Sequence, residues 1–467
     1  MLEFSHEREL RVGYKDEKIK LLEQAVEQYQ SREEQYQLRE KKYQETIEEL
    51  TERVSKLERS QALNSSNSSK PSSSDGLKKP NRTQSQREKS NKKSGGQPGH
   101  KGTTLQQVED PDIIERREIN ACPHCNTNLI NEPVIGICRK QIIDIPKEIT
   151  PIVTEHQYEI KCCPGCQQNV SIQNDDTLKA PVQYGPNIKA AVSYFGIYNL
   201  IPENRVTGIM NNFFGVALSS GTIGNIYKAC FEGVKPIIEK IEEELIISPV
   251  KGADETGLRV AGKLHWVHAL CDDKRVHYRL SEKRGDVKEC LTGVVVHDSF
   301  VSYDRLEGVE HALCNAHILR ELKAVEEIDK EFWARKMARL LRFGNRASKE
   351  NRQVINSKWL EKYRKLFDQI IDEAIAFYES LGVLKKSARG RDRRRIGHNL
   401  ALRLKNKADY ILRFLTDSEV PFTNNLAECA VRMIKVKQKV SGCFRTFEGA
   451  NKFLTVRSFT ATAQKQG

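Results

Sequence analysis

The sequence predicts an α/β chain of several domains, and three observations carry that expectation. The first is a long heptad pattern near the start. The second is a pair of Cys-x-x-Cys knuckles. The third is a run of strand-like segments after Pro249, with helical patterns on both sides. At 467 residues the chain is too long for one core, and about three domains are expected at that length.

The heptad runs from Ile19 to Leu57. One core position reads Ile19, Val26, Glu33, Glu40, Ile47, Val54, and the other reads Leu22, Tyr29, Tyr36, Tyr43, Leu50, Leu57. β-Branched residues in the first position with Leu in the second favour a two-stranded parallel coiled coil, here over residues 1–60. A homodimer is the expectation, and a single long solvated helix is the alternative. Residues 61–102 then hold ten Ser, nine Lys or Arg and two acids. So little apolar surface cannot pack, which predicts a basic flexible linker.

Cys122-Pro123-His124-Cys125 and Cys163-Pro164-Gly165-Cys166 supply four thiolates, enough for one closed tetrahedral zinc site within residues 103–185. Between them Arg139 to Pro146 and Val153 to Ile160 have strand-like character, which suggests a zinc ribbon. Cys138 and Cys162 are alternative ligands. Residues 186–248 read as helical. Arg205 to Phe214, Gly215-Val216 and the Ser219-Ser220 start of a further helix have helix-turn-helix spacing, although a plain three-helix bundle fits as well.

From residue 249 the periodicity changes. Val250 to Val260, Leu264 to Cys271, Arg275 to Leu280 and Gly293 to Asp298 read as strands. Alternation places Asp254 with Val250, Thr256, Leu258 and Val260, and Glu255 with Lys251 and Arg259. That alternation selects Asp254 as the acid turned toward the folded body. The Val294-Val295-Val296 run reads as a central strand covered on both faces. Asp298 at its carboxyl end stands where open α/β sheets place ligands, and Asp304 is the nearby rival.

The third acid opens a helix that Pro421 and Thr423 set off and Gly442 closes. Asn425, Glu428, Arg432, Lys435 and Lys439 recur there at spacings of three and four, so one stripe joins an acid to cations suited to phosphates. Asp254, Asp298 and Glu428 are of the type that holds two magnesium ions for phosphodiester chemistry. Between Asp298 and Glu428 the pattern is mostly helical, predicting an inserted helical domain over 321–420. Its run from Lys385 to Arg395 holds seven cations in eleven residues, among them Arg393, Arg394 and Arg395. The run is either a solvated loop or a DNA-backbone contact, and the second is the expectation.

A net charge of +13 and a pI near 9.0 favour a polyanionic partner. No apolar run approaches a membrane span, and Met1-Leu2-Glu3 starts no signal peptide, so a cytoplasmic protein is expected. His265 and His268 beside Trp266 read as structural. Cys314 and His317 have ligand-like spacing without a second pair.

The coiled coil is followed by the Leu63-to-Asp75 Ser-rich stretch and by Lys93-Ser94-Gly95-Gly96-Gln97-Pro98-Gly99-His100-Lys101-Gly102. Further along stand Asp254-Glu255-Thr256-Gly257, His297-Asp298, Ala312-Leu313-Cys314-Asn315-Ala316-His317, Thr423-Asn424-Asn425-Leu426-Ala427-Glu428 and Ser441-Gly442-Cys443-Phe444-Arg445. In this order these segments resemble bacterial transposases of the insertion sequence sixty-six family. The resemblance implies an RNase H-like catalytic domain over 249–320 and 421–467, split by the helical insertion. It implies a triad of Asp254, Asp298 and Glu428 holding Mg2+ or Mn2+, with Lys435 as the basic residue after the Glu. It also implies cleavage at transposon ends, strand transfer to target DNA, and accessory proteins of the same element. The family typically continues past Gln464-Lys465-Gln466-Gly467, so a short terminal piece is expected to be missing. A non-catalytic, zinc-dependent DNA-binding protein descended from a transposase is the alternative.

Overall fold

A computed structural model describes residues 2–68, 106–146, 149–171, 180–350, 355–382 and 394–467. Most of the basic linker, from residue 69 on, and Arg393 lie outside these residues. In chain order the elements begin with α1 (Leu2–Ala62), β1 (Ile160–Cys162), β2 (Asn169–Ser171), α2 (Pro186–Ser193), α3 (Glu203–Phe214) and α4 (Ser220–Ile246). Then come β3 (Val250–Val260), β4 (Lys263–Cys271), β5 (Val276–Ser281), β6 (Val294–His297) and β7 (Glu310–Leu313). The helices α5 (Asn315–Ile328), α6 (Phe332–Glu350), α7 (Ser357–Ser380), α8 (Ile396–Asn406), α9 (Ala408–Thr416), α10 (Asn425–Ser441) and α11 (Phe447–Gln466) follow. The chain divides into two compact units, one formed by the described parts of Met1–Thr83, Val294–Phe300 and Glu310–Asn424, the other by those of Gln84–Gly293, Val301–Val309 and Asn425–Gly467.

The first unit is mainly helical. α1 has neither Pro nor Gly at its heptad core, and those positions from Val26 to Leu57 are exposed along it. Its end is fastened locally: Arg59 pairs with Asp329, and the Asn67 amide caps the turn by donating to Ala62 O at 3.1 Å. Helices α5–α9 close on a core that includes Leu322, Met337, Leu341, Phe367, Ile371 and Leu404. Two buried polar side chains in that core find partners, as buried donors require. Trp333 Nε1 donates to Tyr378 Oη at 3.1 Å, and Tyr363 Oη donates to Leu340 O at 2.8 Å. β6 and β7 pair in parallel, Val294 opposite Glu310 and His297 opposite Leu313. All four residues of β6 are buried, as its unbroken apolar run predicts. β7 escaped the sequence reading, because four residues of mixed character carry no clear alternation.

The second unit is built on an antiparallel meander in the order β5-β4-β3. One face of it, carrying Leu258, Val267, Ala269, Tyr278 and Leu280, packs on Ala427, Ala430 and Ile434 of α10 and on Phe453 and Leu454 of α11. α2, α3 and α4 form a second cluster around Val192, Val206, Met210, Ile223 and Ile226. The predicted break between α3 and α4 is present. Gly215 ends α3 at φ 64°, a left-handed conformation glycine takes without steric cost, and Ser219 caps α4 by accepting from Thr222 N. Gly293, at φ 68°, is also required, since a Cβ there would lie 2.6 Å from Pro249 O.

The strands expected between the cysteine knuckles are not formed. Among the described residues the pairing there is limited to β1, starting at Ile160, with β2, and to the single bridge of Asn128 with Ala121. Arg139 and Gln141 instead meet residues 107–109 through side chains: Gln141 Oε1 accepts from Val108 N at 2.7 Å and its Nε2 donates to Val108 O at 2.7 Å. Ile142 and Ile152 stay almost fully exposed. Local β character without a ladder partner does not make a strand.

Candidate functional site

Adjacent carboxylates on β3 end up on opposite faces of the meander. Asp254 stands opposite Ala269, and Glu255 stands opposite His268. The Asp254 face is the one that α10 covers, so the strand of Asp254 and the helix of Glu428 pack together in one unit. Asp254 is half-buried, with Oδ1 accepting from Glu255 N at 2.8 Å, and Glu428 is half-buried in the first turn of α10.

Alternation therefore put the two acids on opposite faces, but its choice of Asp254 as the acid turned toward the folded body ranked burial in the wrong order. Glu255 is the more deeply buried acid. Its Oε1 accepts from Arg284 Nε at 2.9 Å and NH2 at 2.7 Å, and its Oε2 accepts from Tyr303 Oη at 2.8 Å. The Arg284 guanidinium in turn lies over the Trp266 ring at 5.1 Å. A buried carboxylate is tolerated when a cation and hydrogen bonds meet it. Lys251, on the same face as Glu255, is buried too, donating to Ile246 O and Thr292 O. Burial lowers its pKa to about 8.

On α10, Lys435 donates to Gly257 O of β3, and burial lowers its pKa. Arg432 and Lys439 are exposed on the same helix. In the core of the meander Cys271 is deeply buried, which pushes its thiol up to about 12.

Asp298 belongs to the other unit. It directly follows β6 and is half-buried, with Oδ1 accepting from Phe300 N at 2.9 Å. The preceding His297 is fully buried, its Nε2 3.0 Å from His311 Nδ1, and its Nδ1 meets Asp298 O. Cys314 N donates to His297 O at 2.9 Å, and Cys314 Sγ accepts from Asn424 N at 3.2 Å. The His297–His311 pair went unseen in the sequence, since its second member lies on the unrecognised β7. Asp304 sits exposed in the 3-10 turn Val301–Arg305. Arg394 is exposed, while Arg395 donates to Gly382 O at 2.7 Å ahead of α8.

The two cysteine pairs repeat one backbone design. Cys122 N donates to Thr127 O at 2.9 Å and Asn126 N to Cys122 O at 2.9 Å. Cys163 N donates to Gln168 O at 2.8 Å and Gln167 N to Cys163 O at 2.8 Å. Asn126 and Gln167 both take positive φ, 63° and 58°, and the flanking bridges, Ala121 with Asn128 and Cys162 with Asn169, have the same span. Hydrogen bonds lower two thiol pKa values: the Thr127 side chain acts on Cys125, and the backbone of Cys166 and Gly165 acts on Cys163. Among the described residues the two pairs are not gathered into one cluster. His268, on β4, lies near Lys283 O at 3.3 Å, and burial lowers its pKa.

No described helix is long and apolar enough to cross a membrane. No curated protein matches the chain. A family of unknown function, DUF6444, matches residues 18–106. The model of the Transposase IS66 family matches residues 181–452, which include Asp254, Asp298 and Glu428. With more than half of its length matched by that model, the chain belongs to the IS66 family of transposases.

Proposed function

We propose that the chain cuts DNA at insertion-sequence ends and joins the freed 3′ hydroxyl to target DNA, with Asp254, Asp298 and Glu428 as the catalytic acids of an RNase H-like domain. The single observation that carries this reading is the packing of the Glu428 helix on the β3 face that holds Asp254. The three acids offer hard oxygen donors of the kind that suit Mg2+ or Mn2+. Such ions, when bound, lower the pKa of an attacking oxygen and neutralise a leaving one. The chain's own part is to orient these carboxylates. Backbone amides of Glu255 and Phe300 hold Asp254 and Asp298 in position.

Lys435, Arg432 and Lys439 would lie along the phosphates, joined by Arg393, Arg394 and Arg395 from the insertion. Cys122, Cys125, Cys163 and Cys166 would hold a structural zinc. Two matching knuckles with hydrogen-bonded thiols support that assignment, and thiolates are the donors such a site uses. α2–α4 would help bind transposon ends, and the exposed heptad of α1 would pair two copies as a homodimer.

The test is a strand-transfer assay with the element's terminal repeats and Mg2+. Asp254→Asn, Asp298→Asn and Glu428→Gln should each abolish transfer while DNA binding persists. Transfer retained in any one of them excludes that residue. Metal analysis should find one zinc per chain, lost on replacing Cys122 and Cys125 by Ser.

A further inference from the structure

α6 turns one side into the core and a ridge of cations outward. Trp333, Ala334, Met337 and Leu341 are buried. Opposite them Arg335, Arg339, Arg342, Arg346 and Lys349 are all exposed and recur at spacings of four and three. That spacing puts them on one stripe of the helix, about 21 Å from end to end. Like charges so arranged repel one another, and Glu350 is the only acid on α6. Arg335 is compensated by Glu326 at 2.6 Å. Among the described residues no acid pairs with Arg339, Arg342 or Lys349.

The neighbouring α7 also carries cations, but its acids outnumber them, and one further acid reaches it from α9. Lys365 meets Glu361 at 2.8 Å, and Arg364 meets Asp368 at 3.1 Å and Asp409 at 2.5 Å. An excess of cations over acids thus distinguishes α6, with six against the single Glu350, from its neighbour α7, with four against five.

We propose that this face of α6 binds the phosphate backbone of duplex DNA without reading its sequence. A fixed row of guanidinium groups suits phosphate oxygens, and each phosphate met releases condensed counterions. The inference rests on the reading that the chain handles DNA, but it does not require catalysis.

Its test is the salt dependence of binding by the full chain to a labelled duplex of arbitrary sequence. Replacing Arg339, Arg342 and Arg346 by Gln should make the slope of log affinity against log salt shallower by about 2 to 3. Near 0.1 M salt the affinity should fall at least about tenfold. A matched triple on α1, Arg39→Gln with Lys41→Gln and Lys42→Gln, should leave both nearly unchanged. Replacing the three α6 arginines by Lys should keep the slope, which separates charge from folding. An unchanged slope in the Gln triple overturns the proposal, as does an equal loss in the α1 triple or in the Lys triple. A chain that transfers no strand but keeps the α6-dependent slope supports this surface while removing the proposed reaction.

Discussion

The two faces of β3 treat neighbouring acids in opposite ways. On one, Glu255 is enclosed and fully answered by Arg284 and Tyr303. On the other, Asp254 is only half-buried beside the helix that carries Glu428. Burial of a carboxylate therefore does not mark a metal ligand, because a buried acid is held in place by whatever compensates it. The acid proposed to take up a cation is the half-buried one, Asp254, beside the Glu428 helix.

The comparison breaks most sharply in function. Asp254→Asn should lower strand transfer on the order of a thousand-fold or more, as loss of a group essential to the chemistry does, with an unchanged melting midpoint. Glu255→Ala should do the reverse in stability, since it leaves the Tyr303 hydroxyl and the Arg284 cation without their acid. Arg284 can turn to solvent, but leaving the buried Tyr303 hydroxyl unsatisfied costs about 1 to 3 kcal/mol, read as a clear drop in the denaturant midpoint. If Glu255→Ala kept full stability, the account of its burial would be wrong. Tyr303→Phe removes one donor to the same carboxylate and should cost about 1 to 2 kcal/mol.

These predictions also mark what was legible in the sequence. The β3 to β6 strands stood out because apolar residues alternate or run together, and α10 because a proline and a glycine bracket it. Alternation alone separates Asp254 from Glu255, but that the Glu428 helix packs on the Asp254 face is seen only in the structure. The compensation of Glu255 was not legible, because Arg284 and Tyr303 lie 29 and 48 residues along the chain. Nothing local ties them to it. The segments between the cysteine knuckles misled for the converse reason, since Ile142 and Ile152 have strand propensity but no neighbouring strand to pair with.

A pH effect sharpens the same contrast through Lys251, which shares the Glu255 face but is met there mainly by backbone carbonyls. Burial holds its pKa near 8, below that of a lysine in the unfolded chain, about 10.4. The folded state therefore gives up its proton first as pH rises. Between those two values the unfolded chain binds more protons, so this group makes stability increase with pH. Lys251→Met, which cannot titrate, should lose that rise, seen by comparing denaturant midpoints of the two proteins at pH 8 and pH 10. A difference between them that stays constant over that range would mean that burial does not shift Lys251, and that this face tolerates a charged lysine as readily as it tolerates the paired Glu255.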